Sequence, residues 1–208
     1  MRIKICGLTR TADLKVALEA GAFALGFVFY PLSPRFIQAA AVKKLWQGLD
    51  SKAWKVGVFV NQSNSEILAV AAEAGLSHAQ LHGDESPDQV AELQSTGLNV
   101  IKALRVTSPL DLESAASYDC LLLIDAAVPG VWGGSGQVAN WELAAQLAQT
   151  RPCILAGGLN ANNLVAAASQ VRPWAFDLSS GVESAPGIKN HLSIETLFQK
   201  ARAYHDNL

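Results

Sequence analysis

Histidine, cysteine and charge are all in short supply in this chain, and each shortage removes a class of explanation. Four histidines in 208 residues leave little for a metal centre whose ligands would have to converge from several strands. Three cysteines, Cys6, Cys120 and Cys153, are odd in number and widely spaced in or beside apolar runs. That pattern makes neither a disulfide framework nor a zinc site, and it fits a reducing compartment. Charged residues are 16% of the chain and the net charge is -2, so there is no basic excess for a nucleic-acid surface. No apolar run approaches the length that spans a bilayer, and the opening MRIKICGLTR has basic residues without a signal-peptide core. A cytoplasmic protein that binds neither nucleic acid nor membrane is expected.

What is abundant is apolar sequence, half of all residues, enough for one compact core and short for two. Eight runs read as buried parallel strands: Ile3–Cys6, Ala24–Phe29, Val56–Val60, Ala79–His82, Val100–Leu104, Leu121–Asp125, Cys153–Ala156 and Ala175–Leu178. Their starts are about 21 to 32 residues apart, the length of one strand and one crossover helix. Between them lie Ala- and Leu-rich segments of helical period, among them Ala12–Ala20, Ala40–Leu49 and Ile67–Ala74. Ser63 with Glu66 reads as a capping box. Ser86-Pro87-Asp88-Gln89 offers a cap, a first-turn proline and a box partner, and Ser108-Pro109-Leu110-Asp111 repeats the cap and proline. Gly21, Gly75 and Gly97 mark stops. With no linker or composition shift, residues 1–208 are expected to form one α/β domain, a single (β/α)8 TIM barrel with an eight-stranded parallel sheet.

In such a barrel the chemistry sits at the C-terminal ends of the strands. There the sequence places Cys6, Arg35, His82, Lys102, Arg105, Asp125 and Asp177. The seventh and eighth strands exit into small residues, Gly157-Gly158 and Ser179-Ser180-Gly181, which leave backbone N–H groups able to face an anion. A barrel of parallel strands and helices often binds phosphate at these two loops, so Gly157, Gly158, Ser180 and Gly181 are the expected phosphate site. Two connections are long: Tyr30 to Arg35, and 126–140, which carries Gly133, Gly134 and Gly136. Those glycines either add donors or let the loop close over a substrate.

KICGLT (4–9), GFVFYPLSPR (26–35), VGVFVN (56–61), QLHGDE (80–85), Asp125 at a strand end, GGSG (133–136), AGGLN (156–160) and DLSSGVE (177–183) occur in order over nearly the whole chain. Together they resemble the phosphoribosylanthranilate isomerases, enzymes of tryptophan biosynthesis. The resemblance implies a (β/α)8 barrel without cofactor or metal, acting on a small phosphosugar by an Amadori rearrangement. It implies Cys6 as general base and Asp125 as general acid. It also implies Arg35 on the anthranilate carboxylate, where a planar guanidinium suits two-point contact. His82 and Asp177 are expected to line the substrate pocket. Thiols and aspartates ordinarily titrate at about 8.5 and about 3.9, each on the wrong side of neutrality for its role. The site must therefore supply positive surroundings for the thiol, and burial or a hydrogen bond for the acid.

Three alternatives stay open at this level. A silent phosphosugar-binding barrel would be expected to have lost Cys6 or Asp125. A dual-substrate isomerase also serving histidine biosynthesis typically shows an aspartate where Cys6 stands. Another phosphosugar enzyme would need a lysine pair with an N-terminal extension, or converging metal ligands. Ser135, Asn140 and Asn190 depart from the family's usual threonine and aspartates, at sites where an equivalent hydroxyl or helix cap is kept. Monomer and homodimer are equally compatible with the sequence.

Overall fold

The computed structural model describes residues 1–125 and 141–206. Eight parallel strands form its centre: β1 (Ile3–Ile5), β2 (Ala24–Val28), β3 (Trp54–Phe59), β4 (His78–Leu81), β5 (Asn99–Arg105), β6 (Leu121–Asp125), β7 (Cys153–Leu155) and β8 (Ala175–Leu178). Each pairs with the next, and β8 closes on β1 with Ile3 opposite Phe176 and Lys4 opposite Asp177. Helices α1 (Thr11–Ala20), α2 (Ala39–Leu45), α3 (Asn64–Ala74), α4 (Pro87–Ser95), α5 (Pro109–Ala115), α6 (Trp141–Thr150), α7 (Leu164–Val171) and α8 (His191–Asp206) alternate with them. The expected (β/α)8 barrel is the fold. A short antiparallel hairpin, β9 (Glu183–Ala185) with β10 (Ile188–Lys189), follows β8 and was not foreseen.

Strand alternation explains why the apolar runs carry so little polar relief. Residues such as Ile3, Ile5, Leu25, Phe27, Leu122, Ile124, Phe176 and Leu178 point outward into one large cluster shared with the helices. Full burial of such a side chain contributes about 1.5–3 kcal/mol, so this shell carries most of the hydrophobic stabilisation. Ala24, Val56, Ile101, Ala103, Leu123, Ile154, Ala156 and Ala175 point inward and make a second, smaller core inside the barrel. Phe23, Trp54, Leu121 and Trp174 pack against it.

The boundaries shift by one or two residues for a physical reason. β3 begins at Trp54 and β4 at His78, because these side chains pair ring on ring at the mouth of the barrel rather than continuing an aliphatic run. At the other end Cys6 and Ala156 fall just outside β1 and β7. Their N–H groups still donate to Leu178 O and Ile124 O, both at 2.8 Å.

Caps set where the helices begin. Ser63 and Glu66 form the expected reciprocal box at α3. At α4 the expectation is half right: Ser86 Oγ takes the N–H of Gln89, but the Gln89 side chain donates to Gln62 O at 2.9 Å instead of closing a box. The amide reaches across to the preceding loop, where a carbonyl would otherwise lack a partner. At α5 Asp111 accepts from the N–H of Ser108 and of Thr107, at 2.8 and 2.7 Å. Before α8, Asn190 Oδ1 accepts the N–H of Ser193, the cap role read for it from sequence. Gly21 and Gly75 end α1 and α3 in the left-handed region.

Candidate active site

Lys4 and Cys6 are two residues apart on β1, so both point into the barrel. Lys4 is fully buried, and its Nζ donates to Asp177 Oδ2 of the adjacent β8 at 2.8 Å. The other oxygen of Asp177 has no hydrogen-bond partner among the described residues, although Asp177 lines the cavity. Space for the Cys6 thiol comes from the neighbouring strand: a side chain at Gly26 would start only 2.6 Å from Sγ. Burial pushes the Cys6 thiol up from its ordinary value, and Lys4 and Lys189 oppose that shift without overcoming it. The positive surroundings anticipated for Cys6 are therefore present, yet the resting group is a thiol.

Asp125 closes β6 and is buried. His82 Nε2 lies 3.0 Å from Asp125 Oδ2, and Gln80 Nε2 lies 3.0 Å from His82 Nδ1. Gln80 is on β4, two residues before His82, and points into the barrel with it. Its Oε1 is buried without a partner.

Arg35 comes in from the loop after β2. Its guanidinium meets Glu183 through two nitrogens, Nε to Oε1 at 2.9 Å and Nη2 to Oε2 at 2.6 Å. Lys189 Nζ donates to the same carboxylate at 2.7 Å. Burial works against the Glu183 charge, but Arg35 and Lys189 outweigh it and hold the carboxyl below its ordinary value. The β9–β10 hairpin thus supplies Glu183, which fixes Arg35 at the cavity wall, and Lys189, which holds Glu183.

Gly157 and Gly158 have φ of 88° and 65°, consecutive left-handed residues that only glycine adopts without strain. No backbone carbonyl among the described residues takes either N–H. Gly181 packs behind this turn so closely that any Cβ there would collide with Leu159 O. The exits of β7 and β8 are therefore one packed unit, with Ser180 at the surface it presents to the cavity.

One cavity is lined by Cys6, Arg35, His82, Asp125, Gly157, Gly158, Asp177 and Ser180 together. Gly181 supports it from behind. Gly133, Gly134 and Gly136 lie outside the described residues. Lys102, left open between a pairing partner and a site charge, donates to Glu85 at 2.8 Å and to Gly83 O at 2.7 Å. It is a buried pairing partner that braces the loop after β4.

Residues 3–200 match the family described as N-(5'phosphoribosyl)anthranilate (PRA) isomerase. The chain belongs to this family. The N-(5'-phosphoribosyl)anthranilate isomerase of Acidithiobacillus ferrooxidans is 45% identical over 194 residues, covering 92% of each chain. The crystal structure of phosphoribosyl anthranilate isomerase from Thermotoga maritima superimposes with a TM-score of 0.90 at 38% identity, covering 98% of this chain and 99% of that one. A phosphoribosyl anthranilate isomerase in complex with reduced 1-(o-carboxyphenylamino)-1-deoxyribulose 5-phosphate gives 0.87 at 36% identity, with the same coverage.

Sequence reasoning missed Lys4, Gln80, Glu183 and Lys189. For the first two a signal was present: each is a polar residue exactly one alternation before a site residue, Lys4 before Cys6 and Gln80 before His82. Glu183 stood only as the last residue of DLSSGVE, and Lys189 gave no signal, because the hairpin that carries them has no apolar pattern.

Proposed function

We infer that this chain isomerises N-(5-phosphoribosyl)anthranilate to 1-(2-carboxyphenylamino)-1-deoxyribulose 5-phosphate, a step of tryptophan biosynthesis, with Cys6 as base and Asp125 as acid. The observation that carries this reading is the placement of Cys6 on β1 and Asp125 on β6 around one cavity, between a fixed arginine and a glycine-lined turn. Asp125 donates a proton to the ring oxygen as the C1′–O bond breaks, which leaves a protonated Schiff base. The iminium acidifies the C2′ hydrogen, and the Cys6 thiolate removes it to give an enolamine. Tautomerisation then yields the ketose. Burial keeps Cys6 a thiol at rest, so ionisation is favoured only once positive charge is near, from Lys4, Lys189 and the iminium itself.

The free N–H groups at Gly157 and Gly158, with Ser180 and Gly181, fit the phosphate. Arg35, already oriented by Glu183, fits the anthranilate carboxylate by exchanging one anionic partner for another. His82 and Asp177 complete the pocket. Residues 1–208 acting as one catalytic domain, and the cytoplasm as its compartment, belong to the same reading. Among the described residues no helix is long and apolar enough to cross a membrane, and the three cysteines are unpaired.

Loss of anthranilate-type fluorescence on adding the protein to freshly generated phosphoribosylanthranilate tests the reaction, with Cys6→Ser and Asp125→Asn beside it. Rapid loss with the parent and near silence from both variants is expected. Tight binding of a reduced product analogue without turnover by the parent would instead indicate the silent phosphosugar-binding barrel.

A further inference from the structure

The mechanism above leaves Gln80 unused, although it is 1% exposed, lines the cavity and touches His82. We propose that Gln80 is a positioning residue for the acid: its amide fixes the hydrogen of His82 on Nε2 and so sets which oxygen of Asp125 carries the transferable proton. An amide nitrogen donates and has no lone pair to offer. With the amide oriented as it is, Gln80 Nε2 lies 3.0 Å from His82 Nδ1, and in the proposed arrangement Nδ1 is the accepting nitrogen. The single imidazole hydrogen then sits on Nε2 and is donated to Asp125 Oδ2 at 3.0 Å. With Oδ2 engaged as an acceptor, the acid proton belongs on Oδ1.

The choice of an amide matters for the chemistry. A carboxylate at position 80 would attract a hydrogen to Nδ1. That would favour an imidazolium, whose full charge holds a neighbouring aspartate ionised, or the other tautomer, whose Nε2 lone pair accepts from the protonated acid and holds its proton toward His82. Either outcome withholds the proton from the substrate. Glutamine carries no charge and does not titrate, so it holds one tautomer without adding a charge.

The role given to Gln80 rests on the acid role proposed for Asp125, but its first readout does not. Long-range proton–nitrogen correlation spectra of the nitrogen-labelled protein, with His82 assigned by its disappearance in His82→Gln, report which ring nitrogen bears hydrogen. The Nε2–H tautomer is expected in the parent at pH 7, with Nδ1–H appearing in Gln80→Glu. In steady state, Gln80→Glu should lower kcat by about 10- to 100-fold, part of the range a general acid contributes, while KM stays within about threefold. Gln80→Met, close in shape and unable to donate, should show mixed tautomers and a smaller loss. A parent with Nδ1–H or an imidazolium would overturn the proposal. So would a tautomer switch in Gln80→Glu with kcat unchanged. A parent with the expected tautomer and no turnover would instead count against the isomerase reading.

Discussion

At the N-terminal mouth of the barrel Trp54 stacks on His78 with ring centroids 3.9 Å apart, and Phe23 meets Trp54 and Trp174 edge-on at 5.2 and 5.5 Å. At the C-terminal mouth, Lys4, Cys6, Gln80, His82, Asp125 and Asp177 stand on or just past β1, β4, β6 and β8. One end is filled with rings. The other buries an ion pair and two acceptor atoms, Gln80 Oε1 and Asp177 Oδ1, that no group among the described residues satisfies. Unsatisfied buried acceptors cost about 1–3 kcal/mol each, so the second arrangement is not one that stability would select. On the proposed function, the contrast separates residues kept for packing from residues kept for chemistry.

The comparison is broken most directly by substitutions that should affect one end alone. Cys6→Ser and Asp125→Asn are expected to reduce kcat by roughly 100- to 10,000-fold, the span of a lost general acid or base. Their thermal midpoints should stay within a few degrees of the parent in calorimetry. Lys4→Met leaves Asp177 buried without its cation, and breaking such a pair costs about 3–5 kcal/mol, to be read by urea denaturation. The surviving turnover of Lys4→Met should also need higher pH, because Lys4 is the largest influence favouring the Cys6 thiolate. A pH–rate profile unmoved by this change would remove Lys4 from the account of the base.

At the opposite mouth Trp54→Ala should cost about 2–4 kcal/mol, in the lower part of the range for large aromatics because the ring is only partly buried. Its kcat should not change. A large kcat loss there would dissolve the division between the ends. A pH-dependent effect at the same mouth concerns His78, whose burial pulls its pKa from 6.5 down to about 4. The unfolded chain takes up a proton below about 6.5 that the folded one refuses until about 4. Stability should therefore fall as pH drops through that window and level off below it. His78→Phe should flatten this part of the curve.

The fold was legible because eight apolar runs at strand–helix spacing leave few alternatives, and because alternation inside a barrel sends nearly every strand residue into one core or the other. The site was legible where strand ends carry reactive side chains, as at Cys6, His82, Asp125 and Asp177, and where paired glycines open a turn. It was not legible where function depends on a partner brought by the chain's return path. Glu183 reaches Arg35, and Lys189 reaches Glu183, only through a short hairpin with no apolar signature. Lys4 was read as one of several basic residues near the N-terminus, although its place between Ile3 and Ile5 puts it inside the barrel.

The central claim, that the C-terminal mouth keeps buried charge for chemistry and not for stability, is tested by the double variant Lys4→Met/Asp177→Leu. Replacing a buried ion pair with apolar side chains of similar size is often neutral or stabilising by about 1–4 kcal/mol. Thermal midpoint and turnover of phosphoribosylanthranilate should be measured on the same preparation. The account predicts a midpoint at or above that of the parent, with kcat/KM below about a hundredth of it, close to the loss of a general acid or base. A lower midpoint with turnover largely kept would contradict it, and would make the Lys4–Asp177 pair part of the scaffold.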